Sequence, residues 1–156
     1  MNEEQKQAYR ELAEICLKNH PRKNIALAQI EQLKQEDDDF FSTIGQLRDD
    51  LFKENIRLFV SMDWKQEASD LEWHLSKILK DNWQLDIELP NAMQFGENAI
   101  VFDDEVFATY DTALHSHGLK IGYLDMDSDS YVFMVHPIQA TDTVKKNIEI
   151  IGYQYQ

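Results

Sequence analysis

The sequence predicts an α+β fold, with three N-terminal helices followed by a β-α-β-α-β-β-α body built on a small mixed or antiparallel sheet. Three observations predict it. Apolar residues recur at helical spacing through the first third of the chain, short β-branched and aromatic runs begin only at Ile56, and two such runs lie five residues apart in the C-terminal third. Strands mixed with helices and ending in a hairpin fit a sheet carrying helices on one face, with the N-terminal helices packed on that body. The length of 156 residues suits one domain, 1–156, comprising a helical part, 1–55, and an α/β body, 56–156.

Tyr9, Leu12, Ala13 and Cys16 fall at i, i+3, i+4 and i+7 among charged neighbours. His20-Pro21 ends that helix, because the residue before a proline is pushed out of the helical region. A second helix carries Ala26, Leu27, Ile30 and Leu33 on one side. Asp37-Asp38-Asp39 opens a third, in which Phe40, Ile44, Leu47 and Leu51 form the stripe. Carboxylates in a first turn suit the positive end of the helix dipole, which accounts for these aspartates without any function.

In the body, residues 56–62 form a run of strand length that ends at Asp63-Trp64-Lys65. Ser69 and Glu72 have the S-x-x-E spacing of a capping box ahead of the stripe Leu71, Leu75, Ile78 and Leu79. Trp83, Leu85, Ile87 and Leu89 alternate with Gln84, Asp86 and Glu88, which predicts a strand with one wet face, ended by Pro90. After a loop, Asp103-Asp104-Glu105 opens a helix with Phe107, Tyr110 and Leu114 inward, and Gly118 is placed to serve as its left-handed cap. Residues 119–125 and 131–136 predict an antiparallel hairpin with a five-residue acidic tip. Val144, Ile148 and Ile151 have helical spacing, but Ile148-Glu149-Ile150 also alternates, so helix and strand both stay open there.

The chain carries 15 Lys+Arg against 29 Asp+Glu, a net charge of −14. Phosphate backbones and anionic membranes are bound by basic side chains, so the balance argues against nucleic acid or membrane and for a basic partner. Cys16 is the single cysteine and forms no internal disulfide, which fits a reducing, cytoplasmic setting. The N-terminal residues lack the basic and apolar regions of a signal peptide, and no run approaches the roughly 20 apolar residues of a membrane span. Oligomeric state is not legible.

The sharpest local pattern is Asp125-x-Asp127-x-Asp129, alternate carboxylates on a tight loop that could converge on a hard cation. It matches the start of an EF-hand loop and then departs from it, since the sixth position is Ser130 rather than Gly and the twelfth is His136 rather than Glu. The apolar strand leading into Asp125-x-Asp127 is similar to the nucleophile strand of aspartate-based phosphohydrolases. Only 27 residues follow Asp129, too few for the later groups that such chemistry needs. An ordinary solvated turn is the preferred explanation of the pattern, with metal binding the lesser one. His115 and His117 are two apart and point to different sides of a helix, so they make no chelating pair. No glycine-rich phosphate loop occurs, no Cys-His or Ser-His context supports a nucleophile, and no cofactor or catalytic residue is assigned. Trp64 and Trp73 flank a strand-to-helix turn, where they serve either as interface anchors or as packing beneath the turn.

The combination of Asp63-Trp64-Lys65, Asp70-Leu71-Glu72-Trp73, Gly118-Leu119-Lys120 and Asp127-Ser128-Asp129-Ser130-Tyr131-Val132-Phe133 resembles a bacterial domain family of unknown function. The resemblance runs from about Ile56 to Ile151 and implies no catalytic residue. In type rather than motif, a small acidic chain is similar to immunity proteins that neutralise bacterial toxins.

Charge placement carries the leading functional expectation. Residues 97–129 hold eight acids, Glu97, Asp103, Asp104, Glu105, Asp111, Asp125, Asp127 and Asp129, against Lys120 alone. A concentrated acidic face speeds association with a cationic partner. The expected function is an acidic protein-binding domain, of the immunity type, that neutralises a basic toxin such as a nuclease. Its expected binding residues are Asp103, Asp104, Glu105, Asp125, Asp127, Asp129, Trp64 and Trp73. The alternatives are a metal-binding module or enzyme using Asp125, Asp127 and Asp129, and a homo-oligomer paired through its N-terminal helices.

Overall fold

The computed structural model describes residues 1–34, 40–126 and 129–156. Six helices and four strands lie among them: α1 (Glu3–Cys16), α2 (Lys23–Glu31), α3 (Phe40–Lys53), β1 (Val60–Asp63), α4 (Ala68–Trp83), α5 (Val106–His115), β2 (Leu119–Asp125), β3 (Ser130–Pro137), α6 (Thr141–Ile150) and β4 (Gln154–Tyr155). The fold is α+β, and the sheet is antiparallel throughout in the order β1-β3-β2-β4. No helix among the described residues is long and apolar enough to cross a membrane.

The stripe of α1 is buried as its spacing predicts, with Tyr9, Leu12, Ala13 and Cys16 inward. Its ends differ from expectation. Asn2 and Gln5 form a reciprocal capping box at the start, and the helix stops at Cys16, four residues before His20. The acidic opening expected for α3, Asp37 to Asp39, lies outside the described residues; Ile44, Leu47 and Leu51 are buried. Asn55 then takes a left-handed conformation, φ 59°, and the Ile56 N–H returns to the Leu51 carbonyl, turning the chain into the sheet.

Strand pairing begins at Val60, opposite Phe133, rather than at Ile56. The preceding residues are buried, but the Arg57 carbonyl accepts from the buried Asn82 amide of α4 at 2.9 Å instead of joining the ladder. The strand expected over 83–89 does not form. Trp83 remains in α4, Gln84 caps it with φ 52°, and the Leu85 N–H bonds to the Leu79 carbonyl. Leu85, Ile87 and Leu89 still pack half-buried on the core while Gln84, Asp86 and Glu88 are exposed. Alternation reports which side meets apolar neighbours; it does not report a ladder partner.

The capping box of α4 is absent too. Glu67 occupies the cap position, and Glu72 accepts the Ala92 N–H at 2.9 Å, fastening the loop after Pro90 to the helix. The hairpin has the expected form, with Leu124 opposite Val132 and Leu119 opposite Pro137. The C-terminal ambiguity resolves into both elements in succession, α6 over Thr141–Ile150 and then β4.

Two apolar clusters lie on opposite faces of the sheet. Leu124, Val132 and Met134 pack with α1, α2, α3 and α6, and Val60, Met62, Ile121, Phe133 and Val135 pack with α4 and α5. Helices therefore cover both faces rather than one, because β3 is apolar at nearly every position and each face needs cover.

Candidate functional site

At the end of the sheet where β1 and β2 finish and β3 begins, an open cleft of about 850 Å³ is bounded by three separate stretches together with Gln156. The first is the turn after β1. The Asp63 carboxylate accepts the Lys65 N–H at 2.8 Å, and the Asp63 N–H donates to Gln66, which fixes Trp64 at the rim. The second is residues 101–108. Hydrogen bonds from Val101 to Gln66 and from Ala68 to Ala99 hold this loop against the turn, and Trp64 meets Phe102 edge to face at 5.6 Å. The third is the hairpin, from Tyr123 to Met126 and from Asp129 to Val132.

Asp103, Asp104 and Glu105 were expected to open α5, and they precede it instead. The helix begins at Val106, with Glu105 at its cap in a left-handed conformation, φ 72°, and making no side-chain cap. Asp103 folds its own loop, accepting the Ile100 N–H at 2.9 Å. Asp104 and Glu105 are exposed at the cleft, and their carboxylates have no hydrogen-bond or ion-pair partner among the described residues. Asp129 likewise has none, whereas Asp125 accepts from the Gln156 amide at 3.3 Å.

The structure thus brings together Asp103, Asp104, Glu105, Asp125, Asp129 and Trp64 in one cleft, and no lysine or arginine is among the described residues that line it. Asp127 lies outside the described residues. Trp73 is elsewhere, on α4, 49% exposed, with the guanidinium of Arg57 stacked 4.9 Å from its ring and 5.1 Å from that of Phe52. Among the described residues no three His, Cys, Asp or Glu side chains gather as a metal ligand set.

Charge alone did not reveal the aromatic wall. Phe107 of α5, Tyr123 of β2 and Tyr131 of β3 line the cleft, with ring centroids 5.5 Å apart for Phe107 and Tyr123 and 4.9 Å for Phe107 and Tyr131. Burial holds both phenols above their ordinary range, so they are neutral at neutral pH. A signal was present in the sequence: Tyr123 pairs with Phe133, and Tyr131 lies two residues from Phe133, so all three share one face of the hairpin.

Behind this wall, β4 is locked to the sheet. Gln156 and Tyr123 exchange backbone hydrogen bonds, and the Tyr155 hydroxyl lies 2.8 Å from Nε2 of the fully buried His136. His136 Nδ1 faces the Pro137 carbonyl at 2.7 Å. A carbonyl only accepts, so Nδ1 carries the proton and Nε2 accepts from Tyr155. Gly122 makes room for this pair, since a Cβ there would sit 2.7 Å from the Tyr155 ring and 2.8 Å from His136.

A family model described as Domain of unknown function (DUF6630) matches residues 1–156, so the match takes in the N-terminal helices that the sequence resemblance left out. No curated protein and no solved structure matches the chain.

Proposed function

The chain belongs to the DUF6630 family, and from that footing we propose that it is a protein-binding domain whose acidic cleft receives a basic surface of a partner. One observation carries the reading: carboxylates from two separate stretches, the loop before α5 and the hairpin tip, line one concavity with no lysine or arginine among its described residues. The carboxylates of Asp104, Glu105 and Asp129 have no counter-charge among the described residues; like charges held so repel, and a cationic partner removes that repulsion while its approach is steered. The immunity-type role, in which the domain occludes a basic toxin such as a nuclease, is the biological form of this proposal.

The test compares two variants of equal net charge. One reverses Asp104, Glu105 and Asp129 to lysine in the cleft; the other reverses Asp86, Glu88 and Glu149, exposed acids outside it. The probe is a hexapeptide of alternating lysine and arginine. The cleft variant should bind it at least about tenfold more weakly and with a flatter salt dependence, and the control variant within about threefold of the native chain. Equal losses in both variants mean that overall charge, not the cleft, attracts the peptide, and the reading is then abandoned.

A further inference from the structure

We infer that the cleft selects arginine over lysine, seating a guanidinium from the partner against the Phe107, Tyr123 and Tyr131 wall. This deepens the reading above and rests on it. A purely electrostatic surface would not discriminate between the two cations, but this cleft is lined by aromatic side chains as well as carboxylates. Three aromatic side chains from three different elements converge on it, and Phe102, 63% exposed, stands at its rim. Trp64 is less available, because the Lys65 ammonium already sits 5.0 Å from its ring.

A guanidinium is planar and weakly hydrated, so it stacks on a ring while its fork of N–H groups reaches carboxylates in the same plane; an ammonium is a strongly hydrated point charge that gains less from such a wall. The carboxylates stand on both sides of the rings in sequence, Asp104 and Glu105 just before Phe107, and Asp125 and Asp129 between Tyr123 and Tyr131. The fold already stacks one arginine on aromatic rings: Arg57 is only 5% exposed, with its guanidinium 5.1 Å from the Phe52 ring and 4.9 Å from the Trp73 ring. The volume, about 850 Å³, is within the range of roughly 300–1,000 Å³ that holds a small organic ligand, and it leaves room for residues beside the arginine.

The experiment titrates the intact chain with hexa-arginine and with hexa-lysine, equal in length and charge, and repeats both with Phe107→Leu and Tyr131→Leu, each first checked for native circular dichroism and cooperative unfolding. The native chain should bind hexa-arginine about tenfold more tightly. Each variant should lose most of that preference while its affinity for hexa-lysine stays within about twofold. Equal affinities of the native chain for both peptides overturn the inference and leave the acidic-cleft reading standing. A preference that survives both variants places arginine recognition away from this wall and overturns it as well. Binding of neither peptide removes the inference and the reading together.

Discussion

Six of the eight described acids in residues 3–54 have a cation for a neighbour: Glu3 and Glu31 meet Arg10, Glu14 meets Lys23, Glu54 meets Arg22, Asp49 meets Arg48 and Asp50 meets Lys53. Around the cleft Asp104, Glu105 and Asp129 have no such neighbour among the described residues. The two regions use the same residue types with opposite consequences. In the helical part the charges cross-link α1 to α2 and anchor the end of α3, so they are consumed by the fold. At the cleft they are left for a partner. Net charge alone does not distinguish these cases; the location of each cation does.

Asp111 offers the sharpest break of this comparison, because it belongs to the acidic stretch 97–129 yet behaves like the acids of the helical part. Its carboxylate accepts the Ile121 N–H of β2 at 2.7 Å and lies 3.1 Å from the His115 imidazole. Removing it leaves a buried backbone donor without a partner on a stretch of β2 that β4 does not reach. Asp111→Ala should therefore lower stability by about 1–3 kcal/mol, measured by urea unfolding. Reversal of Asp104, Glu105 and Asp129 should stay within about 0.5 kcal/mol of the native chain. Similar losses in the two proteins would end the distinction between consumed and available acids.

A second, smaller effect concerns pH and the framework alone. Burial pushes His20, His74 and His136 below the ordinary imidazole value, and none of them lines the cleft. Each is favoured as the neutral form when folded, so the unfolded chain takes up protons first as pH falls. Their contribution is present above the unfolded value of about 6.5 and is lost as pH falls through it toward the lower folded value. The thermal midpoint should accordingly drop between pH 7.5 and 5.5, and His136→Gln, less stable throughout, should show a shallower slope. A midpoint that is flat over this window in the native chain contradicts the assignment.

What was legible in the sequence follows the range of the interactions involved. The stripe of α1 and the hairpin of β2 and β3 depend on residues close in sequence, and both appear where their spacing puts them. Segment 83–89 alternates as a strand does, but none of the four strands pairs with it: Trp83 stays in α4, Gln84 caps that helix, and the Pro90 carbonyl accepts from the Tyr110 hydroxyl. The acids of the cleft were legible as a local surplus of charge. Phe107, Tyr123 and Tyr131 were not recognised as one wall, because they come from α5, β2 and β3, and it is the packing of α5 on β2 that joins them. Trp73 lies outside the cleft, on α4, where Arg57, 16 positions away in the segment between α3 and β1, stacks on its ring; sequence spacing does not reveal that contact.

The smallest effect tests the other side of the comparison, whether the paired acids stabilise through charge. Arg10 donates to Glu3 at 2.9 Å, to Gln7 at 2.8 Å, and through both Nε and Nη2 to Glu31, so one guanidinium spans the first turn of α1 and the last residue of α2. Hydrogen bonds from Arg10 hold the Glu31 carboxyl below its ordinary value. A depressed carboxyl contributes stability above the unfolded pKa, about 4.5, and that contribution disappears as pH falls through the folded value. Arg10→Gln should thus lower the thermal midpoint slightly at pH 7. The difference from the native chain should shrink in molar salt and vanish well below pH 4.5, where Glu31 is neutral in both proteins. A difference that persists at low pH and high salt would assign the role of Arg10 to the packing of its aliphatic stem, and the helical part would then differ from the cleft in burial rather than in charge pairing.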